Sequence, residues 1–347
     1  MVMNMVSEKG MEKVTGICLI GAGRAGMIHA RNFASRVPCA KVTAIADTVE
    51  EMAKAAADEL KAGFYTTDYR EALKRDDVDA VVVVTPTKYH VDVVVAAAQA
   101  GKHIFCEKPM AMNKEECEKM IEAARANGVK LQIGFMRRFD ENFRRAKKMI
   151  EDGEIGDVVT VKSLTHGPST PREWMYDIEK SNGPLAEVNS HDIDTVRWLT
   201  GGEADYLYAM AGNFRCEEAR ESYPDFYDTV MMNIRMNNGC IVNIDGAQGV
   251  QYGYDARVDV VGTRGIIQIG DLKQGTTLSY TKDGMKGAVV KSWRDLFSEA
   301  YLNEDISFIR SIMEDKEPEV TGWDGMKAVE IVKAGNESIR TGQIVKL

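Results

Sequence analysis

The feature that most restricts the fold of this 347-residue chain is a regular alternation of strand-like and helix-like segments beginning at residue 15. "GICLIGAG" is a short apolar run and reads as a strand, and "AGMIHARNFASRV" has helical composition and stops before Pro38. "KVTAIAD" alternates with the period of a strand, and "TVEEMAKAAADEL" opens on Thr48 and Glu51 at capping-box spacing. "DAVVVVTP" has the β-branched run expected of a strand buried on both faces. "HVDVVVAAAQAG" reads as a helix ended by Gly101, "HIFCEKP" as a strand, and "NKEECEKMIEAARANG" as a helix opened by an Asn113/Glu116 box. "KLQIGF" is a further strand. Such alternation predicts an α/β fold with a parallel sheet covered by helices on both faces. The chain is too long for one ordinary core, so a second domain is expected.

In a sheet of this kind, ligands bind at the carboxyl ends of the strands, which draws attention to the loops there. "GAGRAG" places Gly21, Gly23 and Gly26 at G-x-G-x-x-G spacing, with Arg24 and Ala25 inside the turn. The spacing alone is weak. Here it follows a strand, precedes a helix, and is answered by Asp47 at the end of the next strand, which is the context a dinucleotide fingerprint needs. The helix start then faces the pyrophosphate. The Asp47 carboxylate accepts from a ribose 2′-hydroxyl and repels a 2′-phosphate, whereas Arg24 favours the phosphate; Asp47 is expected to prevail, giving NAD over NADP.

Composition narrows the partners. The net charge is −9 and no long basic run occurs, which argues against nucleic acid and anionic membrane surfaces. Apolar runs are too short to span a membrane. Residues 1–14 lack a basic leader before an apolar core and read as a mobile tail, with Met11 an alternative start. Six cysteines, none in a C-x-x-C pair, read as reduced thiols of a cytoplasmic protein.

The motif order continues with "VVVVTPTKYH" (81–90) and "CEKPMA" (106–111). From about residue 15 onward the chain resembles the Gfo/Idh/MocA oxidoreductase family. "GFMRRFD" (134–140), "HDIDTVRWLTG" (191–201), "YGYDARVDVVGTRG" (252–265) and the ending "DGMKAVEIVKAGNESIRTGQIVKL" are most similar to its inositol dehydrogenase branch. The resemblance implies an N-terminal Rossmann domain at 15–134. It implies a substrate-binding and oligomerisation α/β domain at 135–347, built on a large, mostly antiparallel open sheet, with a C-terminal helix able to pack back on the first domain. Local patterning agrees: "TVMMNIRMNNGCIVNID" (229–245) reads as a hairpin with Val230, Met232, Ile234 and Met236 on one face. Met231, Asn233 and Arg235 lie on the other, the face implied to form a homodimer or homotetramer contact.

The implied chemistry is hydride transfer from a ring secondary alcohol. It needs a base, a positive charge for the developing alkoxide, and groups that hold substrate. The resemblance makes Lys108, before Pro109, an active-site lysine and His191 its partner; either can be the base. The family usually has Asp where this chain has Glu187, four residues before His191. On one helix these two share a face, and Glu187 is expected to hydrogen-bond His191 or Lys108, favouring their charged forms, or to bind a substrate hydroxyl. A metal held by Glu187, His191 and Asp194 is the competing use of that face. No H-E-x-x-H accompanies it, and no metal is expected. Thr85, Pro86 and Thr87 fall in the family's T-P-N loop, with Thr replacing Asn, and contact cofactor. His90 and Glu107 shape the nicotinamide pocket, with helix capping the other use of His90. Arg137, His166 and Tyr252 fall at substrate-contacting positions, although Arg137 can equally be a surface cation and Tyr252 core. "HGPSTPREWMYD" (166–177) reads as a specificity loop over the site.

Few fixed charges are expected in the pocket, which suits a neutral polyhydroxylated ring. Inositol oxidised to an inosose is the first choice, and a pyranose or glycoside oxidised at carbon 3 is the next. The rivals are a glycosidase using NAD for transient oxidation and a non-catalytic NAD-binding regulator. Retention of Lys108 and His191 speaks against the regulator.

Overall fold

The structure is a computed structural model and describes residues 14–347. The expected tail, including Met11, lies outside the described residues except for Val14. Strands β1 (Thr15–Ile20), β2 (Ala40–Ala46), β3 (Phe64–Thr66), β4 (Ala80–Val83), β5 (His103–Glu107) and β6 (Leu131–Gly134) form one sheet in the order β3-β2-β1-β4-β5-β6. Every pairing in it is parallel. All four residues of β4 are buried, as its valine run requires. Strand order reverses between β1 and β4, so a crevice opens beyond their carboxyl ends.

Two helix starts differ in detail from the sequence reading. Asn113 does cap helix Lys114–Ala126 by accepting from the Glu116 amide at 2.9 Å, but Glu116 returns its bond to the Met112 amide, one residue further out. The Thr48/Glu51 box does not form. Helix Glu50–Leu60 starts at Val49 without a side-chain cap, because Asp47 takes the Val49 amide at 2.9 Å.

A second sheet holds β7 (Val158–Gly167), β8 (Ala204–Gly212), β9 (Thr229–Met236), β10 (Ile241–Gln248), β11 (Asp255–Gly262), β12 (Ile266–Ile269) and, at the far edge, Val345–Lys346. Only β7 and β10 pair in parallel; the other contacts are antiparallel. In β9, Val230, Met232, Ile234 and Met236 are buried while Met231, Asn233 and Arg235 are exposed, which is the expected two-faced pattern. Helices Gly183–Glu187, Ser190–Thr200 and Gly322–Thr341 cover the inner face. The last of these also packs on β6 and on helix Lys114–Ala126, and helix Ser298–Met313 lies against helix Gly26–Ser35. One buried apolar cluster consequently runs from Val81 and Cys106 in the first sheet to Val230 and Val242 in the second. The hairpin Lys273–Thr281/Gly284–Val289 forms a separate two-stranded sheet. Among the described residues no helix is long and apolar enough to cross a membrane.

Candidate active site

The glycine turn leads from β1 into helix Gly26–Ser35. Gly21 has φ +102°, and a Cβ there would meet the Val84 carbonyl oxygen at 2.5 Å. A Cβ on Gly26 would lie 2.0 Å from the Gly21 oxygen, so strand and helix can approach only through glycine. A Cβ on Gly23 would meet nothing within 4 Å: the chain leaves open space where a pyrophosphate would lie. Arg24 is exposed, and Ala25 is the residue preceding the helix. Asp47 reaches across from β2 and accepts from the Ala22 amide at 2.8 Å, which sets its carboxylate at the rim of the turn. The following loop supplies Thr85, whose hydroxyl oxygen is buried without a protein partner, exposed Pro86, and buried Thr87. A glycine turn open at Gly23, a carboxylate at its rim and an unpartnered buried hydroxyl fit a dinucleotide with a free ribose 2′-hydroxyl.

His90 ends the 3-10 turn Thr87–Tyr89 through its backbone amide, but its side chain caps no helix. Its buried ring lies between loops, with Nε2 2.8 Å from the Thr85 carbonyl oxygen and Nδ1 3.0 Å from that of Pro109. It therefore braces the Thr85 turn against the segment after Lys108. Glu107 also points inward, with one oxygen 3.0 Å from His29 Nε2 and the other accepting from the Lys108 amide at 3.0 Å.

Lys108 stands at the carboxyl end of β5, and its Nζ donates to the Glu187 backbone carbonyl at 2.8 Å. This corrects the expected side-chain pairing. It also follows from a break in the opening helix: one helix ends at Glu187 and the next begins at Ser190. The Val188 and Asn189 amides both turn back to the Pro184 carbonyl, at 2.9 and 3.1 Å, so Glu187 and His191 do not share one helix face. Among the described residues the Glu187 carboxyl has no hydrogen bond, and burial raises its pKa against the opposing charge of Lys108. His191 is buried, with Nδ1 unpartnered. Burial, then Lys108 and Arg137, push its pKa well below the usual histidine value, so the ring is neutral rather than held charged by Glu187. Asp194 does not join the two: Arg138 holds it through bonds of 2.9 and 2.6 Å.

Arg137 is not a surface cation. It is 1% exposed, donates to Asp192 at 2.8 Å and to Thr165 at 2.5 Å, and lies over the rings of Phe143 and Phe297. Burial opposes its charge, but Asp192 and Tyr254 more than restore it. His166 and Tyr252 belong elsewhere. In β7 the inward residues are Val161, Ser163 and Thr165; His166 faces outward and pairs with Asp245 at 2.9 Å and with the Tyr252 hydroxyl. Buried Tyr254, not Tyr252, is the tyrosine beside Arg137. Gly253, at φ +115°, breaks the alternation between them. Sequence reading missed Tyr254 and Asp192. The inward parity of β11, with Ala256, Val258 and Val260 buried, was the available signal for Tyr254.

A parallel sheet with an open glycine turn, a carboxylate beside it, a lysine at the end of β5 and a buried histidine near the start of helix Ser190–Thr200 define a dinucleotide-dependent oxidoreductase. Residues 15–135 match the family model for the oxidoreductase family with an NAD-binding Rossmann fold, and residues 143–268 match the GFO/IDH/MocA C-terminal domain. The chain belongs to the Gfo/Idh/MocA oxidoreductases. It is 33% identical to scyllo-inositol 2-dehydrogenase (NAD(+)) of Bacillus subtilis, covering 97% of each chain. It is 31% identical to myo-inositol 2-dehydrogenase of Thermotoga maritima, over 95% of this chain and 98% of that one. The crystal structure of scyllo-inositol dehydrogenase from Lactobacillus casei with bound NAD(H) and scyllo-inositol superposes with a TM-score of 0.88 at 26% identity, over 96% of this chain and 99% of that one.

Proposed function

We propose that the chain oxidises a ring secondary alcohol of an inositol to the ketone. Bound NAD supplies the hydride acceptor. His191, neutral because of burial and its cationic neighbours, accepts the hydroxyl proton. Lys108 turns a donor from the Glu187 carbonyl to the substrate oxygen and stabilises the developing negative charge. The substrate's O–H proton passes to the His191 ring; bound NAD would take the carbon hydrogen together with the C–H electron pair as hydride, leaving the ketone. The Glu187 carboxyl, with no protein partner among the described residues, is the group free to take a neighbouring hydroxyl. Buried Arg137, paired with Asp192 at 2.8 Å and lying beside Tyr254, adds to the positive charge that keeps His191 unprotonated. The observation that carries the reading is the buried His191 ring with its Nδ1 unpartnered, four residues after the Glu187 carbonyl that holds the Lys108 ammonium at the end of β5. The inositol substrate is supported by the two relatives named for that activity. Two domains, at 15–134 and 135–347, assembling as a homodimer or homotetramer through the outer face of the second sheet, complete the proposal.

The test is an initial-rate screen of inositols and pyranoses with NAD, following NADH formation, with carbohydrate analysis alongside. An inositol turned over stoichiometrically with NADH is expected. Cleavage of a glycoside without NADH accumulation would replace this reading with the glycosidase one. In Lys108→Met, turnover should fall by about three orders of magnitude while NADH affinity stays within about threefold.

A further inference from the structure

A second group of ionisable side chains lies directly behind Lys108. His29 is on helix Gly26–Ser35, the helix that opens from the glycine turn, and its ring is fully buried. Nδ1 is 2.7 Å from Asp305 Oδ1, on helix Ser298–Met313, and Nε2 is 3.0 Å from Glu107 Oε1, at the end of β5. Each acid is held by a further donor: Asn32 Nδ2 reaches Asp305 at 2.8 Å, and the Lys108 amide reaches Glu107 at 3.0 Å. Two carboxylates that accept from the same ring need a proton on both its nitrogens. Burial alone would strip that proton, but Asp305 and Glu107 outweigh it and hold His29 well above the usual histidine value.

The remaining groups around the ring agree with a single positive charge at its centre. Glu304, beside Asp305, is completely buried and neither oxygen has a partner. Burial and Glu107 push its pKa well up, so it stands as the neutral acid. Tyr301 and Phe105 close the ring in at 5.3 and 4.8 Å between centroids. Atoms of His29, Glu107 and Glu304 come within 4.8 Å of one another, a spacing that a metal ion could use. A ring donating from Nε2 to Glu107, however, has no lone pair there for a metal.

We propose that His29 is a positioning residue for the reaction: as an imidazolium between Glu107 and Asp305, it fixes the strand end carrying Lys108 against both the glycine-turn helix and helix Ser298–Met313. The proposal rests on the reading of Lys108 as catalytic. The physical reason is geometric. The turn that would hold the cofactor and the lysine that faces the substrate come from different strands, and hydride transfer tolerates little error in their separation. Among the described residues His29 is the one side chain hydrogen-bonded both to the acid that holds the Lys108 amide and to helix Ser298–Met313. Its favourable contribution is fully present below the usual histidine value and is lost only as pH rises through the elevated value of the folded state.

The experiment uses the full-length protein with NAD and the best alcohol from the screen. His29→Gln should lower kcat by about tenfold or more, with KM for the alcohol and the NADH dissociation constant within about threefold of wild type. Because His29 and Glu107 act through one bond, His29→Gln/Glu107→Gln should be no slower than the slower single variant. Asp305→Asn keeps the shape of the cluster and serves if His29→Gln does not fold. Its kcat should decline at lower pH than that of wild type, since the imidazolium has lost a partner. A folded His29→Gln with wild-type kcat overturns the proposal. So do losses that multiply in the double variant, an unchanged pH profile in Asp305→Asn, or a stoichiometric metal in the purified protein displaced by His29→Gln. Lys108→Met separates the two readings. If it stays active, the assignment of Lys108 fails; if it is dead while His29→Gln is normal, only the positioning role fails.

Discussion

At the scale of single residues, the protonation of His191 decides how the site works. A histidine pushed well below its ordinary value by burial, Lys108 and Arg137 is already a base at neutral pH. The acid limb of kcat/KM should therefore lie below the usual histidine range, about pH 6.5, and activity should persist on acidification through that point. Initial rates across a pH series check this; an inflection at the ordinary histidine value would show that the ring is charged at rest. Asp47 carries the second residue-level prediction. Its carboxylate already binds the Ala22 amide at the turn, so NAD should be preferred over NADP. Asp47→Ser should narrow that preference by about tenfold or more in kcat/KM measured with both cofactors. Only the second was legible in the sequence, which pointed instead to a His191 held charged by Glu187. Asp47 was readable because fingerprint and acid lie in a fixed strand-turn-helix context. Tyr254 was not legible beside Arg137, because the positive φ at Gly253 interrupts the alternation of the chain just before β11.

At the scale of elements, the strands and helices of the first sheet were legible because periodicity and turn residues agree with each other along the chain. The break between Glu187 and Ser190 was not. It depends on the Pro184 carbonyl capturing two successive amides, a local choice that composition does not announce. The expected Thr48/Glu51 box failed for a similar reason, since Asp47 was close enough to take the Val49 amide first. Helix Ser190–Thr200, which carries His191, is anchored by a buried pair in which Arg138 grips Asp194 with two bonds and reaches Asp324 at 2.8 Å. Arg138→Met leaves buried Asp194 with only the more distant Arg197, at 3.9 Å, and urea unfolding should show a loss of about 3 kcal/mol. Arg138→Met/Asp194→Leu should recover much of it, since no charge then remains buried alone.

At the scale of the whole molecule, the second sheet turns one face to the helices and leaves the other exposed. Tyr206, Met210, Met231, Ile241, Val261 and Ile266 are all large apolar residues exposed by more than a third, a combination expected of a face that meets a second copy. Light scattering should give a mass of at least twice the 38.5 kDa chain, and Met231→Glu/Ile241→Lys should reduce it toward one chain. A monomeric wild type would contradict this use of the face. The outward pair His166–Tyr252 lies on this side as well, and the alternation of residues along β7 is signal enough to turn His166 outward. The most direct test of the central claim is the fate of one hydrogen. An inositol carrying deuterium on each ring carbon in turn is incubated with NAD and wild-type or Lys108→Met protein, and the reduced cofactor is weighed by mass spectrometry. Deuterium on the cofactor from a single ring position, formed rapidly by wild type and scarcely at all by a Lys108→Met protein that still binds NADH, is the predicted result. Reduced cofactor without the label, or equal rates in the two proteins, would contradict the account.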